Sequence, residues 1–293
     1  MKTNRLTLTS AVTALLLAFG VAWTLAQDAD RDIERIAGEV CRFRNKFHYS
    51  VFAVTPEGII ATDPINAEAA EWLKAALQRR FNQPVKYLIY SHEHPDHISG
   101  GEVFADTATV VAHERAKAKI VGEQRRTATP HLTFTDRMTI ELGGTTVELS
   151  YVGRNHSDNS IVMRFPKERL LFAVDFIPVQ AVAFRDFHDA YIEEWIDSLE
   201  RVERLDFDIL VPGHGRVGTK DHVRQFREYM EDLYREVLKH ARAGLSLEEM
   251  QQTIRLPKYE KWFGYQSDNP RLNWFPMNIA GMYRYIQNHR RPN

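Results

Sequence analysis

Ser91-His92-Glu93-His94-Pro95-Asp96-His97 decides how the rest of this chain is read. It follows the apolar run Val85-Lys86-Tyr87-Leu88-Ile89-Tyr90, whose pattern predicts a buried strand. Pro95 and the pair Gly100-Gly101 keep that strand from continuing. Three imidazoles and a carboxylate therefore fall on a tight loop at a strand end, where a rigid element positions groups that stay accessible. Imidazole nitrogen and carboxylate oxygen suit zinc or iron, and the loop offers no thiolate. A polar surface loop has no reason to gather so many ligand-type side chains so closely.

Outward from the loop, the pattern alternates between strands and helices. Upstream, Tyr49 to Val54 and Gly58 to Thr62 read as strands around the turn Thr55-Pro56-Glu57-Gly58. Ala67 to Phe81 reads as an amphipathic helix, with Ala69, Trp72, Leu73, Ala76 and Leu77 at helical spacing. This β-β-α-β order argues for a layered α/β sandwich. Charged Asp28 to Val40 reads as a short helix or linker, and Cys41, the only cysteine, as a strand or edge residue.

Downstream, Thr109 to Ala112 is a short strand, and His113 after it is read as a packing or capping residue. His131 to Leu142 and Thr145 to Val152 alternate around Gly143-Gly144 as a β-hairpin whose second strand runs into His156. Ser160 to Phe165 and Leu170 to Val174 are further strands, and they deliver Asp175. The apolar loop from Phe176 to Ala190, with Phe184 and His188, is a candidate wall of a substrate pocket. Tyr191 to Leu205 is a helix, Ile209-Leu210-Val211 is the strand before His214, and Thr219 caps a helix to about Ala243. Ser246-Leu247-Glu248-Glu249 is a capping box. The expected organisation is a signal peptide over 1–26, a main domain over 27–243, and a C-terminal helical extension over 244–293 packed on it. Trp262, Phe263, Tyr265, Trp274, Phe275 and Tyr283 of that extension are read as covering the core or an interface.

The signal peptide rests on Lys2 and Arg5, the apolar run from Ala11 to Leu25, and small residues around Thr24-Leu25-Ala26. The run is shorter than a bilayer span of about 20 residues. Cleavage, no stable membrane insertion, and a periplasmic or secreted location are therefore expected. Composition is that of a globular protein: 293 residues, 44% hydrophobic and 26% charged, with a net charge of −1. That balance excludes a polyanion-binding surface, so the expected partner is a small-molecule substrate and not nucleic acid. Oligomeric state leaves no mark in the sequence.

Beyond the central loop, Asp63 ends the strand from Gly58, His156 lies in Gly153-Arg154-Asn155-His156-Ser157-Asp158-Asn159, and His214 lies in Val211-Pro212-Gly213-His214-Gly215. With His92-x-His94-x-Asp96-His97 and Asp175, this ordered set resembles the metallo-β-lactamase superfamily over about residues 40–240. The resemblance implies a four-layer αββα sandwich. It also implies His92, His94 and His156 as ligands of one metal, Asp96, His97 and His214 as ligands of a second, and Asp175 bridging both. Asp63 would then orient a metal-bound histidine. The implied cofactor is two zinc ions, with iron or manganese as alternatives. The implied activity is hydrolysis of a small ester, lactone, thioester or amide by a hydroxide shared between the metals, with Asp96 relaying a proton.

An aspartate at 175 looks more like glyoxalase II, lactonases and phosphodiesterases than like the best-known zinc β-lactamases, which place cysteine or serine there. A β-lactam substrate is thus a lesser expectation. The alternative functions are an iron-dependent sulfur or persulfide oxygenase, or another periplasmic redox-pathway protein, on the same fold. A non-catalytic metal-binding protein is a weak third, because no ligand is missing.

Overall fold

Period-two alternation along the strands sends successive side chains to opposite faces, and two sheets result. The computed structural model describes residues 30–289. One sheet has the order β1 (Arg31–Ala37), β2 (Val40–Asn45), β3 (His48–Thr55), β4 (Gly58–Thr62), β5 (Val85–Ile89), β6 (Thr109–His113), β7 (Leu132–Phe134). Its first four strands run antiparallel and its last four parallel. The other sheet is built from β8 (Arg137–Leu142), β9 (Thr145–Tyr151), β10 (Ile161–Phe165), β11 (Leu170–Ala173), β12 (Ile209–Pro212) and β13 (Gly218–Thr219).

Helices α1 (Ala67–Phe81) and α3 (Glu114–Gly122) cover the outer face of the first sheet. The single turn α2 (Pro95–Ile98) lies between them in sequence. Helices α4 (Ile192–Glu203), α5 (Lys220–Arg242), α6 (Leu247–Thr253) and α7 (Phe275–His289) cover the outer face of the second sheet. The strand pattern shows how the layers are cemented. Leu170 and Phe172 of β11 enter the core between the sheets, while Leu171 and Ala173 enter the core under the helices. Ile60 of β4 likewise faces the other sheet, and Ile59 and Ala61 face α1. The architecture is the expected αββα sandwich with C-terminal helices.

Two segments differ from the sequence reading. Residues from Arg31 form strand β1 and not a helix or linker, with Ile33 opposite Phe43 of β2. As an edge strand, β1 exposes charged residues to solvent, and these mask its alternation. Cys41 consequently sits on an interior strand between β1 and β3 and is buried. The segment 131–142 is also not one hairpin arm. It breaks at Thr135-Asp136, so that β7 pairs in parallel with β6 while β8 pairs with β9 in the other sheet. Both halves alternate alike, and the period alone does not say which sheet each joins.

Tyr259, Tyr265 and Phe275 are buried in the helical core and help complete it, whereas Phe263 is exposed. His113 caps α3, its Nδ1 accepting from Arg115 N at 3.2 Å and its Nε2 donating to Thr135 O at 2.8 Å. No helix among the described residues is long and apolar enough to cross a membrane. The expected signal peptide, residues 1–26, lies outside the described residues.

Candidate metal centre

Strand ends converge at one end of the sandwich. Asp63 follows β4, Ser91 to His94 follow β5, Asp175 follows β11, and His214 follows β12. Pro95 opens α2, the turn that carries Asp96 and His97. His156 comes from the loop after β9, which is fastened to the first sheet where Ile161 N donates to Ser91 O at 2.9 Å.

The side chains form two groups. His92, His94, His156 and Asp175 make one, and Asp96, His97, Asp175 and His214 make the other; within each, one ligand atom per residue lies within 4.8 Å of the rest. Asp175 belongs to both. Its Oδ2 lies 3.1 Å from His97 Nε2 and 3.4 Å from His92 Nε2, and its Oδ1 lies 3.2 Å from His214 Nε2. The His97 and His214 Nε2 atoms are 3.2 Å apart. Asp63 and Asp175 both take left-handed backbone, φ 25° and 67°, a strained conformation that surrounding structure must impose. Gly213 permits the closeness: an added Cβ would meet His97 Cε1 at 3.1 Å and Asp175 Oδ1 at 3.2 Å.

The outward ring nitrogens of His92, His156 and His214 are engaged, which leaves their inward ones as acceptors. Ser91 Oγ donates to Asp63 Oδ2 at 2.6 Å, so His92 Nδ1, 2.9 Å from Ser91 Oγ, must donate to it. His92 Nε2 is then a lone pair facing the centre. His214 Nδ1 donates to Phe47 O at 2.9 Å, and His156 Nδ1 is 3.0 Å from Asn155 Oδ1. This is the arrangement that fixes the tautomer of a metal ligand. The Nε2 atoms of His92 and His156 are buried without any hydrogen-bond partner, and so is Asp175 Oδ1. Orphaned buried polar atoms are costly unless something else satisfies them. Lone pairs aimed at a common space with a shared carboxylate fit divalent cations.

Electrostatics differ between the groups. Burial, then repulsion from His94, pushes His92 down to about 4. Burial also holds His156 well below its ordinary value. For His97 burial opposes charge, yet Asp175, Asp63 and Asp96 outweigh it and push the imidazole up to about 9. His214 rises for the same reason, with Asp175 overcoming burial. Asp175 is held well below the usual carboxylate range by His97 and His214 in spite of burial. Burial pushes Asp63 up to about 6.

The fold thus brings together every residue assigned from the family pattern. Asp63 touches the centre twice, through Ser91 to His92 and directly at 3.7 Å from His97 Nδ1. Phe184 and His188 belong to neither group. Phe184 is 61% exposed beside Trp274, and His188 pairs with Asp189 at 3.0 Å.

Sequence reasoning missed three supports. His48 Nε2 lies 3.2 Å from Asp96 Oδ2, and its ring meets His214 at 4.5 Å. Buried Asn159 accepts from Glu93 N at 3.0 Å, tying the loop of His156 to that of His92. Lys119 of α3 bridges Glu93 and Asp158 at 2.9 and 3.0 Å. Burial opposes charge on Glu93, but His92, His94 and Lys119 hold its carboxyl at about 2. The presence of Glu93 and Asn159 inside their motifs was the available signal; His48 had none beyond its residue type.

A sandwich with paired histidine-aspartate groups at its strand ends defines a protein class built around a metal centre. The chain belongs to the metallo-beta-lactamase superfamily, whose sequence model matches residues 62–214. Members of that superfamily are mostly metal-dependent hydrolases. The chain is 32% identical over 165 residues to the 2,4-dinitroanisole O-demethylase subunit alpha of Nocardioides sp. (strain JS1661), covering 54% of this chain and 49% of that protein. It is 25% identical to the metallo-beta-lactamase type 2 of Bacillus cereus, covering 57% of this chain and 66% of that enzyme. The chain therefore spans half to two-thirds of these relatives. A solved metallo-beta-lactamase from Pontibacter korlensis shares the fold, with a TM-score of 0.64, 22% identity, and coverage of 69% of this chain and 99% of that one.

Proposed function

We propose that this chain is an exported zinc-dependent hydrolase of a small ester, lactone, thioester or amide. The observation that carries the reading is the pair of groups sharing Asp175, with lone pairs buried and unsatisfied between them. His92, His94, His156 and Asp175 would hold one ion, and Asp96, His97, His214 and Asp175 the other. Two ions so held supply Lewis acidity and an acidified water. The chain's own residues supply position and proton transfer. Asp63 and Ser91 fix the His92 tautomer, and Phe47 O fixes that of His214. Asp96 would carry a proton to the leaving group; its side chain is 52% exposed and its Oδ2 lies 3.2 Å from His48 Nε2.

The test is metal content of protein purified without chelators, together with turnover on p-nitrophenyl esters, a lactone, a thioester and a chromogenic β-lactam. The panel includes 2,4-dinitroanisole because a relative is named for its demethylation. Two zinc ions and cleavage of one ester-type substrate support the reading. A zinc-loaded protein inert to the panel, whose iron-loaded form consumes oxygen with a persulfide, replaces it with the oxygenase alternative.

A further inference from the structure

The first metal group, His92, His94 and His156 with Asp175, draws its imidazoles from two loops that leave different sheets. His92 and His94 follow β5 of one sheet, and His156 lies in the loop after β9 of the other. The spacing of the three rings therefore depends on what crosses between the loops. One crossing is a backbone bond, Ile161 N to Ser91 O at 2.9 Å. A second is Asn159, which accepts from Glu93 N at 3.0 Å and donates Nδ2 to Asp158 Oδ1 at 2.8 Å. The third is ionic, and its centre is Lys119 of α3. Lys119 Nζ donates to Glu93 Oε1 at 2.9 Å and lies 3.0 Å from Asp158 Oδ1. Glu93 stands between His92 and His94 in the chain, and Asp158 stands just after His156.

This ionic crossing is more than a surface pair. The Glu93 side chain is 3% exposed, that of Asp158 23% and that of Lys119 34%. Glu93 Oε2 is buried without a hydrogen-bond partner, so the carboxylate depends on what its other oxygen meets. Without the ammonium, two carboxylates from the two loops would face each other in a largely buried gap. Their repulsion would push the loops apart, and a buried charge left unpaired is costly. Helix α3 holds the ammonium in place, with Ala116 and Ile120 burying its inner face. Arg115, one turn before Lys119, donates to Asp158 O at 3.3 Å, and Arg125, just beyond the helix, donates to Glu93 O at 2.8 Å. The second metal group has other fastenings: His214 is tied to Phe47 O and Asp96 to His48, both at the β2–β3 turn.

We propose that Lys119 is a positioning residue of the first metal group: it draws Glu93 and Asp158 together and so sets the distance of His156 from His92 and His94. Its ammonium has the same sign of charge as the ion the group would hold. It therefore acts through the two loops and against its own repulsion of that ion. The inference deepens the two-metal reading above and rests on it. Were Lys119 only a nearby charge, losing it would tighten metal binding. Because it closes the gap between the loops, losing it weakens the first ion and spares the second.

The test compares the full chain with its Lys119→Met and Lys119→Met/Glu93→Gln variants. Methionine keeps most of the apolar stem, and Lys119 lies outside the buried face of α3, so the core there stays intact. Chelator competition measures both zinc dissociation constants. In Lys119→Met one constant should rise about 10- to 100-fold, the usual cost of losing an outer support of a ligand, while the other changes little. Glu93→Gln on that background removes the unpaired charge and should recover most of the loss, although taking a negative charge from beside the ion would by itself weaken binding. Hydrogen-deuterium exchange of the metal-free full chain should quicken over 91–94 and 155–161 in Lys119→Met and stay native over 45–49 and 213–216. Unchanged or tighter zinc binding in Lys119→Met, or no recovery in the double variant, overturns the positioning role. Equal losses of both ions, or faster exchange in all four segments, overturns it in favour of general loosening. Native exchange over 91–94 and 155–161 overturns the tie between the loops. A native chain that binds no zinc defeats the two-metal reading and the role at the metal, whereas the tie is decided by exchange alone.

Discussion

Lowering the pH should strip the second metal group long before the first. His97 is pushed up to about 9 in the protein without metal, and His214 is raised beside it. A metal entering that group must displace the proton on His97. At pH 7, two units below, about 1% of the imidazole is free of its proton, so apparent affinity is about 100-fold below its limit at high pH. The sign follows: affinity rises with pH, at least ~10-fold per unit, until about pH 9. His92, at about 4, and His156, held well below its ordinary value, are already neutral over this range, so these two ligands add no pH dependence between pH 6.5 and 9. Zinc titration by chelator competition at several pH values measures both slopes. Calorimetry at pH 7 in buffers of different ionisation heat counts the protons, with at least one expected for the weaker ion and fewer for the tighter. Equal pH slopes for the two ions, or a steeper slope for the tighter one, would refute the argument.

Three other outcomes are expected. Asp175→Asn keeps the shape but loses the charge shared by both groups; turnover should fall by more than the roughly 10–100-fold expected of Asp63→Asn, which acts only through Ser91 and His97, as kinetics and metal content together will show. Phe172→Ala, truncating a fully buried ring between the sheets, should cost about 3–5 kcal/mol in denaturant unfolding of the metal-free protein. Protein recovered from the periplasm should have a mass lacking residues 1–26; a mass that includes them refutes processing there.

The sequence made the centre legible because a metal ligand set is short, chemically marked and attached to strand ends. His92 through His97 sit in one run, and Asp175 and His214 each follow an apolar strand. Its supports were harder to see. Ser91 reads as an ordinary polar residue until Asp63 is found 2.8 Å from its backbone nitrogen, a contact between parallel neighbours β4 and β5. His48 reaches Asp96 only because the β2–β3 turn folds over the end of the sandwich. The same limit explains β1 and β7: their pairing partners are set by tertiary position, to which local alternation is blind.

The core beneath α4 and α5 is shared with residues far along the chain. Met250, Ile254, Tyr259, Phe275, Ile279, Met282 and Ile286 are all part of it. During synthesis, which proceeds from the N-terminus, α4 and α5 therefore reach the second sheet while the core beneath them still lacks these residues. That core stays incomplete until α7 has left the ribosome. A premature stop between Ala243 and Ile286 should leave a sticky, protease-sensitive product, not a smaller working protein.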